Sequence, residues 1–85
     1  MTEHSTAIKD YKSMKDLAHD VSNLRYDALA EFLYELSRKM HNDSCADYDR
    51  GRTRLSKSLR EASYHLTSAK DSIIQAQIIC EKHMN

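Results

Sequence analysis

The chain has 85 residues, no proline and a single glycine, Gly51, and its 13 basic residues balance 13 acidic ones. A β-rich fold with many turns needs more glycine and proline than this, so the composition predicts an all-α fold. A neutral chain has no global field toward nucleic acid or anionic membranes, and so small a domain often needs a partner to complete its core.

The first predicted helix runs from about residue 5 to residue 41, with Ser5 or Thr6 as its cap. Its apolar residues recur every three or four positions, which predicts one apolar stripe on a helix. The stripe consists of Ile8, Tyr11, Met14, Leu17, Ala18, Val21, Leu24, Ala28, Leu29, Phe32, Leu33, Leu36 and Met40. Ser22 and Asn23 could start a new helix, so a break near residue 22 is the alternative to one continuous helix.

The turn is predicted within residues 41–50, because the apolar period is lost from residue 41. Ser44, followed by Asp47 three residues later, resembles a capping box that would start the second helix near residue 45. Gly51 costs a helix about 1 kcal/mol relative to alanine, so residue 52 is the alternative start. In both cases the second helix extends to about residue 84.

The second helix carries an unbroken heptad pattern, which we call the heptad row. Its members are Leu55, Leu59, Ala62, Leu66, Ala69, Ile73, Ala76 and Cys80. A short turn makes the two helices antiparallel neighbours, so we expect the first helix to cover the alanines of this row. Pairing around residue 45 would place Leu66 beside Leu24 and Cys80 beside Tyr11.

One hairpin cannot bury all of these apolar residues, since several isoleucines lie off the heptad row and the first stripe is wide. Two hairpins joined in a four-helix bundle would cover both surfaces. We therefore expect a single domain over residues 1–85, a long antiparallel helical hairpin that dimerises into a four-helix bundle.

The leading functional hypothesis is a small non-enzymatic adaptor or regulator that binds another protein and forms a homodimer. No catalytic group, cofactor motif or metal-ligand spacing is assembled in the sequence. The candidate partner-binding residues are Arg25, Ile74, Ile78, Ile79 and Met84. Arg25 is included because an arginine inside an apolar stripe either covers leucines with its stem or pairs with a partner's carboxylate.

A basic cluster at the turn supports a second hypothesis, a regulator that binds nucleic acid or phosphate. Residues 38–60 carry a net charge of +4 and the remainder of the chain carries −4. The candidate anion-binding residues are Arg50, Arg52, Arg54, Lys57 and Arg60. Tyr48 is the one aromatic residue interleaved with them, so the signal for nucleic acid is unspecific.

An acidic stripe at four-residue spacing, Asp27, Glu31 and Glu35, supports a third hypothesis, a metal-dependent nucleotide hydrolase. Such a site needs further carboxylates from a second helix. The facing segment offers only Glu61 among basic residues, so we expect ion pairs across the hairpin instead.

The N-terminus is polar and no apolar run is long enough for a bilayer, so we expect a cytoplasmic protein without membrane contact. The two cysteines, Cys45 and Cys80, do not form a disulfide framework. The hairpin would hold them at opposite ends, too far apart for a disulfide.

Overall fold

The structure is a computed structural model that describes residues 5–83, with the side chains of residues 5–82. Within this range it contains three helices, α1 (Met14–Ser22), α2 (Tyr26–Asp49) and α3 (Thr53–His83), and no strand. α2 and α3 pack against each other as an antiparallel hairpin, while α1 makes little contact with either. The predicted all-α hairpin is confirmed.

α1 begins at Met14, later than the predicted start near residue 5. Its cap is Ser13, whose Oγ accepts a hydrogen bond of 3.1 Å from the N–H of Asp16. Before it, Asp10 has φ = 73°, a left-handed conformation that an α-helix cannot contain. The prediction of Ser5 or Thr6 as the cap is therefore wrong.

The prediction of one continuous helix over residues 5–41 is wrong, and its alternative, a break near residue 22, is confirmed. Asn23 closes α1, with φ = −89°, ψ = 0° and its N–H donating to the carbonyl of His19 at 3.2 Å. The hydroxyl of Ser22 donates to the same carbonyl at 2.8 Å. Ser22 and Asn23 thus end one helix rather than start the next, and α2 begins at Tyr26.

The hairpin turn lies at residues 50–52, because α2 continues through 41–49, where the sequence predicted the turn. Gly51 has φ = +78°, and its N–H donates to the carbonyl of Tyr48 at 2.9 Å. The N–H of Arg52 reaches back to the carbonyl of Asp47 at 2.8 Å. These two bonds form a Schellman motif, in which glycine supplies the left-handed residue after the helix.

The capping-box interpretation of Ser44 and Asp47 is wrong, since both residues are buried within α2. The hydroxyl of Ser44 donates to the carbonyl of His41 in its own helix at 2.7 Å. α3 begins at Thr53, close to the alternative start at residue 52.

The register of the hairpin differs from the predicted one by ten residues. The hydroxyl of Ser56 donates to the carbonyl of Ser44 at 2.7 Å, and that of Ser63 to the carbonyl of Ser37 at 2.9 Å. Both contacts centre the pairing on residue 50 instead of residue 45. The predicted pairs of Leu66 with Leu24 and of Cys80 with Tyr11 are therefore not formed.

Candidate interaction surface

Small residues occupy the closest approach of α2 and α3. Ala30, Ser37 and Ser44 recur every seven residues on α2, as do Ser56 and Ser63 on α3, and none of the five is more than 6% exposed. We call this set the serine seam. Because these side chains are short, the backbones come near enough for hydroxyls of α3 to bond to carbonyls of α2.

The polar atoms of the serine seam are satisfied. Ser37 and Ser44 donate to carbonyls three residues earlier in α2, each at 2.7 Å, and the two serines of α3 donate across the hairpin. No buried side-chain nitrogen or oxygen in the described part of the chain lacks a hydrogen-bond partner. The seam therefore avoids the 1–3 kcal/mol that an unpaired buried hydroxyl costs.

Toward the open end of the hairpin, the seven-residue repeat of α3 continues with longer residues, Lys70 and Gln77. The Lys70 ammonium lies 3.1 Å from the Asp71 carboxylate and 5.7 Å from the centre of the Tyr34 ring. The Lys70 side chain is 22% exposed. The register of the hairpin brings Lys70 level with the small residue Ala30 on α2.

The chain's own α2 covers the alanines of the heptad row only in part, so the prediction that it fills this row is wrong. Ala69 is exposed, Ala62 and Ala76 are half-buried, and Cys80 is exposed. The three alanines lie one position before Ser63, Lys70 and Gln77, which belong to the seven-residue repeat of α3. Successive residues of a helix lie about 100° apart, so the alanines occupy the flank of the contact.

The flanks of both helices combine into one apolar surface. Two antiparallel helices are related by a local twofold axis perpendicular to the plane that contains both helix axes. Residues one position before a contact residue therefore lie on the same side of this plane on both helices. We call this surface the leucine–alanine face. It comprises Leu29, Phe32, Leu33, Leu36 and Met40 on α2, with Leu55, Leu59, Ala62, Leu66, Ala69, Ile73 and Ala76 on α3.

The leucine–alanine face is open in the single chain. Ala30 is the one apolar residue that is buried among the described residues, whereas Phe32 is 44% and Leu55 46% exposed. The chain measures 53 × 28 × 13 Å, the thickness of one layer of helices. An exposed contiguous apolar surface of this kind is typical of an interaction site.

The predicted partner-binding isoleucines do not form one patch. Ile74 is half-buried beside the contact, Ile78 and Ile79 are exposed, and the last two are consecutive and hence about 100° apart on α3. Met84 lies outside the described residues.

Arg25 stands in the break between α1 and α2, so its predicted position inside an apolar stripe is wrong. Its Nε and Nη2 donate to the two carboxylate oxygens of Asp27 at 3.1 and 2.6 Å. This fork of hydrogen bonds holds the pKa of the Asp27 carboxyl below its usual value and raises the pKa of the guanidinium. The pair lies beside a shallow depression between the start of α2 and the end of α3, where Cys80 also lies.

The acidic stripe forms local ion pairs rather than the predicted pairs across the hairpin. Asp27 pairs with Arg25, and a carboxylate oxygen of Glu35 lies 4.0 Å from a guanidinium nitrogen of Arg38, one turn along α2. No group of three or more metal-ligating side chains occurs in the described part of the chain.

The five basic residues of the turn are all exposed, and two of them also make structural contacts at the turn. Arg50 caps α2, and the Arg52 guanidinium lies 3.3 Å from the buried Asp47 carboxylate. The others, Arg54, Lys57 and Arg60, lie exposed on α3.

No protein-family model matches the chain, and neither the curated proteins nor the solved structures contain a significant match. Among the described residues, no helix combines the length and apolar character needed to cross a membrane.

Proposed function

We propose that this protein is a non-enzymatic interaction protein, an adaptor or regulator of the cytoplasm that acts as a homodimer. Two hairpins would join through their leucine–alanine faces into a four-helix bundle. The observation that carries the proposal is the near absence of a buried apolar core in the single hairpin, where small polar residues fill the contact.

The apolar surface that the single hairpin leaves unburied favours association. A fully buried leucine or phenylalanine contributes about 1.5–3 kcal/mol, and the large residues of the leucine–alanine face remain half-buried or exposed. A second layer of helices would recover much of that contribution. Chains of this size commonly depend on such help.

The distribution of large and small residues favours a second copy as the partner. Large side chains such as Leu29 and Leu36 project from α2, while the corresponding flank of α3 carries Ala62, Ala69 and Ala76. If a twofold axis parallel to the helices relates the two copies, α2 of one copy packs over α3 of the other. Every two adjacent helices of the bundle are then antiparallel. In the observed register, Leu36 is level with residue 64 of α3 and Leu29 with residue 71. In the dimer, these leucines would therefore pack against the alanines on α3 of the second copy.

The outer edge of the leucine–alanine face on α3 also carries no formal charge. Its residues at three- and four-residue spacing are Leu55, Ser58, Ala62, His65, Ala69, Ser72, Ala76 and Ile79. Contact between two such surfaces buries no ionised lysine, arginine or carboxylate from this flank, which lowers the desolvation penalty of association. On the α2 flank, Asp43 is ion-paired with Lys39 at 2.6 Å near the turn. Self-association through a twofold axis is the commonest assembly of such surfaces.

Size-exclusion chromatography with light scattering tests the dimer. The chain mass is 9.9 kDa, and we expect twice that mass at micromolar concentration. The substitution Ala69→Glu should give a helical monomer, because the exposed position tolerates a carboxylate in the hairpin but not in the dimer. An uncompensated buried charge costs about 3 kcal/mol or more, which raises the dissociation constant over 100-fold.

The matched control is Ser68→Glu at the neighbouring position, because this exposed residue lies away from the contact between α2 and α3. It should leave the dimer intact. A wild-type chain that is a monodisperse, cooperatively folded monomer would contradict the proposal.

A further inference from the structure

α3 extends beyond α2 at the open end of the hairpin. The register of the hairpin brings Tyr26, the first residue of α2, level with residue 74 of α3. α3 continues to His83, so its last nine residues, 75–83, lie beyond the start of α2. We call this segment the projecting end, and at 1.5 Å per residue it is about 13 Å long.

The projecting end has a polar side and an apolar side. Gln77 continues the seven-residue repeat that faces α2, and its Nε2 donates to a carboxylate oxygen of Glu81 at 3.2 Å. Ala76 and Ile79 continue the uncharged outer edge of the leucine–alanine face, and Ile79 is 56% exposed. Cys80, the last member of the heptad row, is exposed one turn after Ala76. The apolar side therefore continues the surface through which the two copies would join.

In the proposed dimer, α2 of the second copy does not reach the projecting end. A twofold axis parallel to the helices keeps both copies at the same height, so each α2 begins level with residue 74 of the α3 that it covers. Ile79 and Cys80 would thus lie beyond both α2 helices. The helix that precedes α2 in the chain, and that is closest to this space, is α1.

α1 has the length and the apolar face that this space requires. It spans nine residues, as many as the projecting end. Met14, Leu17, Ala18 and Val21 recur at three- and four-residue spacing and share one face of α1. Ala18 is exposed, Val21 is half-buried, and within the described part of the chain α1 makes little contact with α2 or α3. The single hairpin therefore leaves much of this apolar face unburied.

We propose that α1 of one copy packs on the projecting end of α3 of the other copy, an inference that rests on the proposed homodimer. Ala18 and Val21 would cover Ile79 and Cys80. Each α1 would then take the place that α2 occupies further along the bundle, and the shared core would continue to the last turns of α3. Burial of these side chains adds to the hydrophobic free energy of association.

The polarity of the projecting end determines which copy supplies α1. Its apolar side faces the second copy. Toward the chain's own α2 it presents Gln77 and Glu81, and the ion-paired Arg25 and Asp27 lie beside them. The chain's own α1 would there press apolar side chains against charged groups, which costs desolvation free energy. The break at residues 23–25 separates the two helices, so α1 can take a direction different from that of α2.

Cross-linking between two distinguishable chains tests this inference. The first chain carries Val21→Cys, with both native cysteines replaced by serine, and the second, tagged chain retains Cys80 as its only cysteine. After both chains are refolded together from urea, a short bismaleimide should join them into a heterodimer. The matched control carries His19→Cys in place of Val21→Cys, because residue 19 lies about 200° away on the same helix. It should give little of this product.

The dissociation constant of the dimer, measured by light scattering over a dilution series, gives a second test. Val21→Glu should raise it roughly 10-fold or more, because each copy would bury a carboxylate against the other. His19→Glu introduces the same side chain into the same turn on the polar face of α1 and should dimerise as the wild type does.

The inference is overturned if wild type is a dimer but Val21→Cys gives no more heterodimer than its control, or if Val21→Glu dimerises with wild-type affinity. A chain that carries both Val21→Cys and Cys80 reveals docking within one hairpin, and a cross-link confined to single chains would also overturn the inference. A monomeric wild type would contradict the homodimer itself and, with it, the inference.

Discussion

The serine seam and the leucine–alanine face lie side by side on the same two helices and show opposite relations between polarity and burial. In the seam, serine hydroxyls are buried and bonded to backbone carbonyls across the hairpin. On the face, leucines, phenylalanine and alanines are half-buried or exposed. In most small domains the apolar residues form the contact and the serines face water.

This difference separates the residues that determine the register from the residues that offer apolar surface for association. Short side chains and directional hydrogen bonds determine which residues of α2 and α3 meet, and they contribute little apolar burial. The leucine–alanine face has the larger apolar side chains, and in the described part of the chain these remain half-buried or exposed. The hairpin thus has a defined register and a weak core, so much of its stability is expected to come from association.

The largest effect should come from filling the seam. The substitution Ser44→Leu would force α2 and α3 apart at a fully buried position, and overpacking costs about 1–3 kcal/mol before the displaced hydrogen bonds are counted. Urea denaturation followed by circular dichroism measures the loss. As a control, Asn42→Leu on the exposed side of α2 should leave the midpoint nearly unchanged.

A smaller effect should follow Gly51→Ala, which tests how the turn sets the register of the seam. An added Cβ meets no atom within 4 Å, so the cost is confined to the positive φ of the backbone. An alanine there should destabilise the hairpin by about 1–2 kcal/mol, and asparagine by less. Equal stability of glycine and alanine variants in thermal unfolding would contradict the left-handed turn.

Removing a single hydroxyl from the seam should have a still smaller effect. Ser63→Ala deletes the bond to the Ser37 carbonyl but keeps the close approach of the helices. The expected loss is about 1 kcal/mol. Ser68→Ala on the exposed side is the control. A Ser63→Ala variant more stable than wild type would show that the hydroxyl does not hold the register.

The smallest effect should arise at the exposed pair of Arg25 and Asp27, which belongs to neither surface. Because the guanidinium lowers the pKa of the Asp27 carboxyl, Arg25→Ala should move that pKa back toward the ordinary aspartate value. The contribution of the pair to stability is complete above the ordinary aspartate pKa, and it is lost as the pH falls through the lowered value. Carbon-13 NMR titration of the carboxyl measures the shift, and an unchanged pKa would contradict the contact.

Helical periodicity was enough to predict the all-α hairpin, but it favoured one continuous first helix, and only the residue types of Ser22 and Asn23 indicated the break as an alternative. The apolar periodicity does not reveal the serine seam, because serine is not an apolar residue. The seven-residue spacing of Ser37 with Ser44, and of Ser56 with Ser63, was the signal that could have revealed it. A contact made by small residues gives no hydrophobic signal even when it is fully buried.

The turn was misplaced for a related reason. Ser44 and Asp47 have the residue types and spacing of a capping box, yet tertiary contact buries both inside α2. The low helix propensity of Gly51 predicts a later start of the second helix, whereas the more common role of such a glycine is the left-handed residue after a helix end. That interpretation would have centred the hairpin correctly and moved the alanines to the flank.

The concentration dependence of thermal unfolding tests most directly whether two hairpins share one core. If association through the leucine–alanine face provides much of the stability, the unfolding midpoint of wild type should rise with protein concentration. The midpoint of Ala69→Glu should be lower and independent of concentration. A high, cooperative wild-type midpoint that stays constant over a 100-fold range of concentration would contradict the shared core.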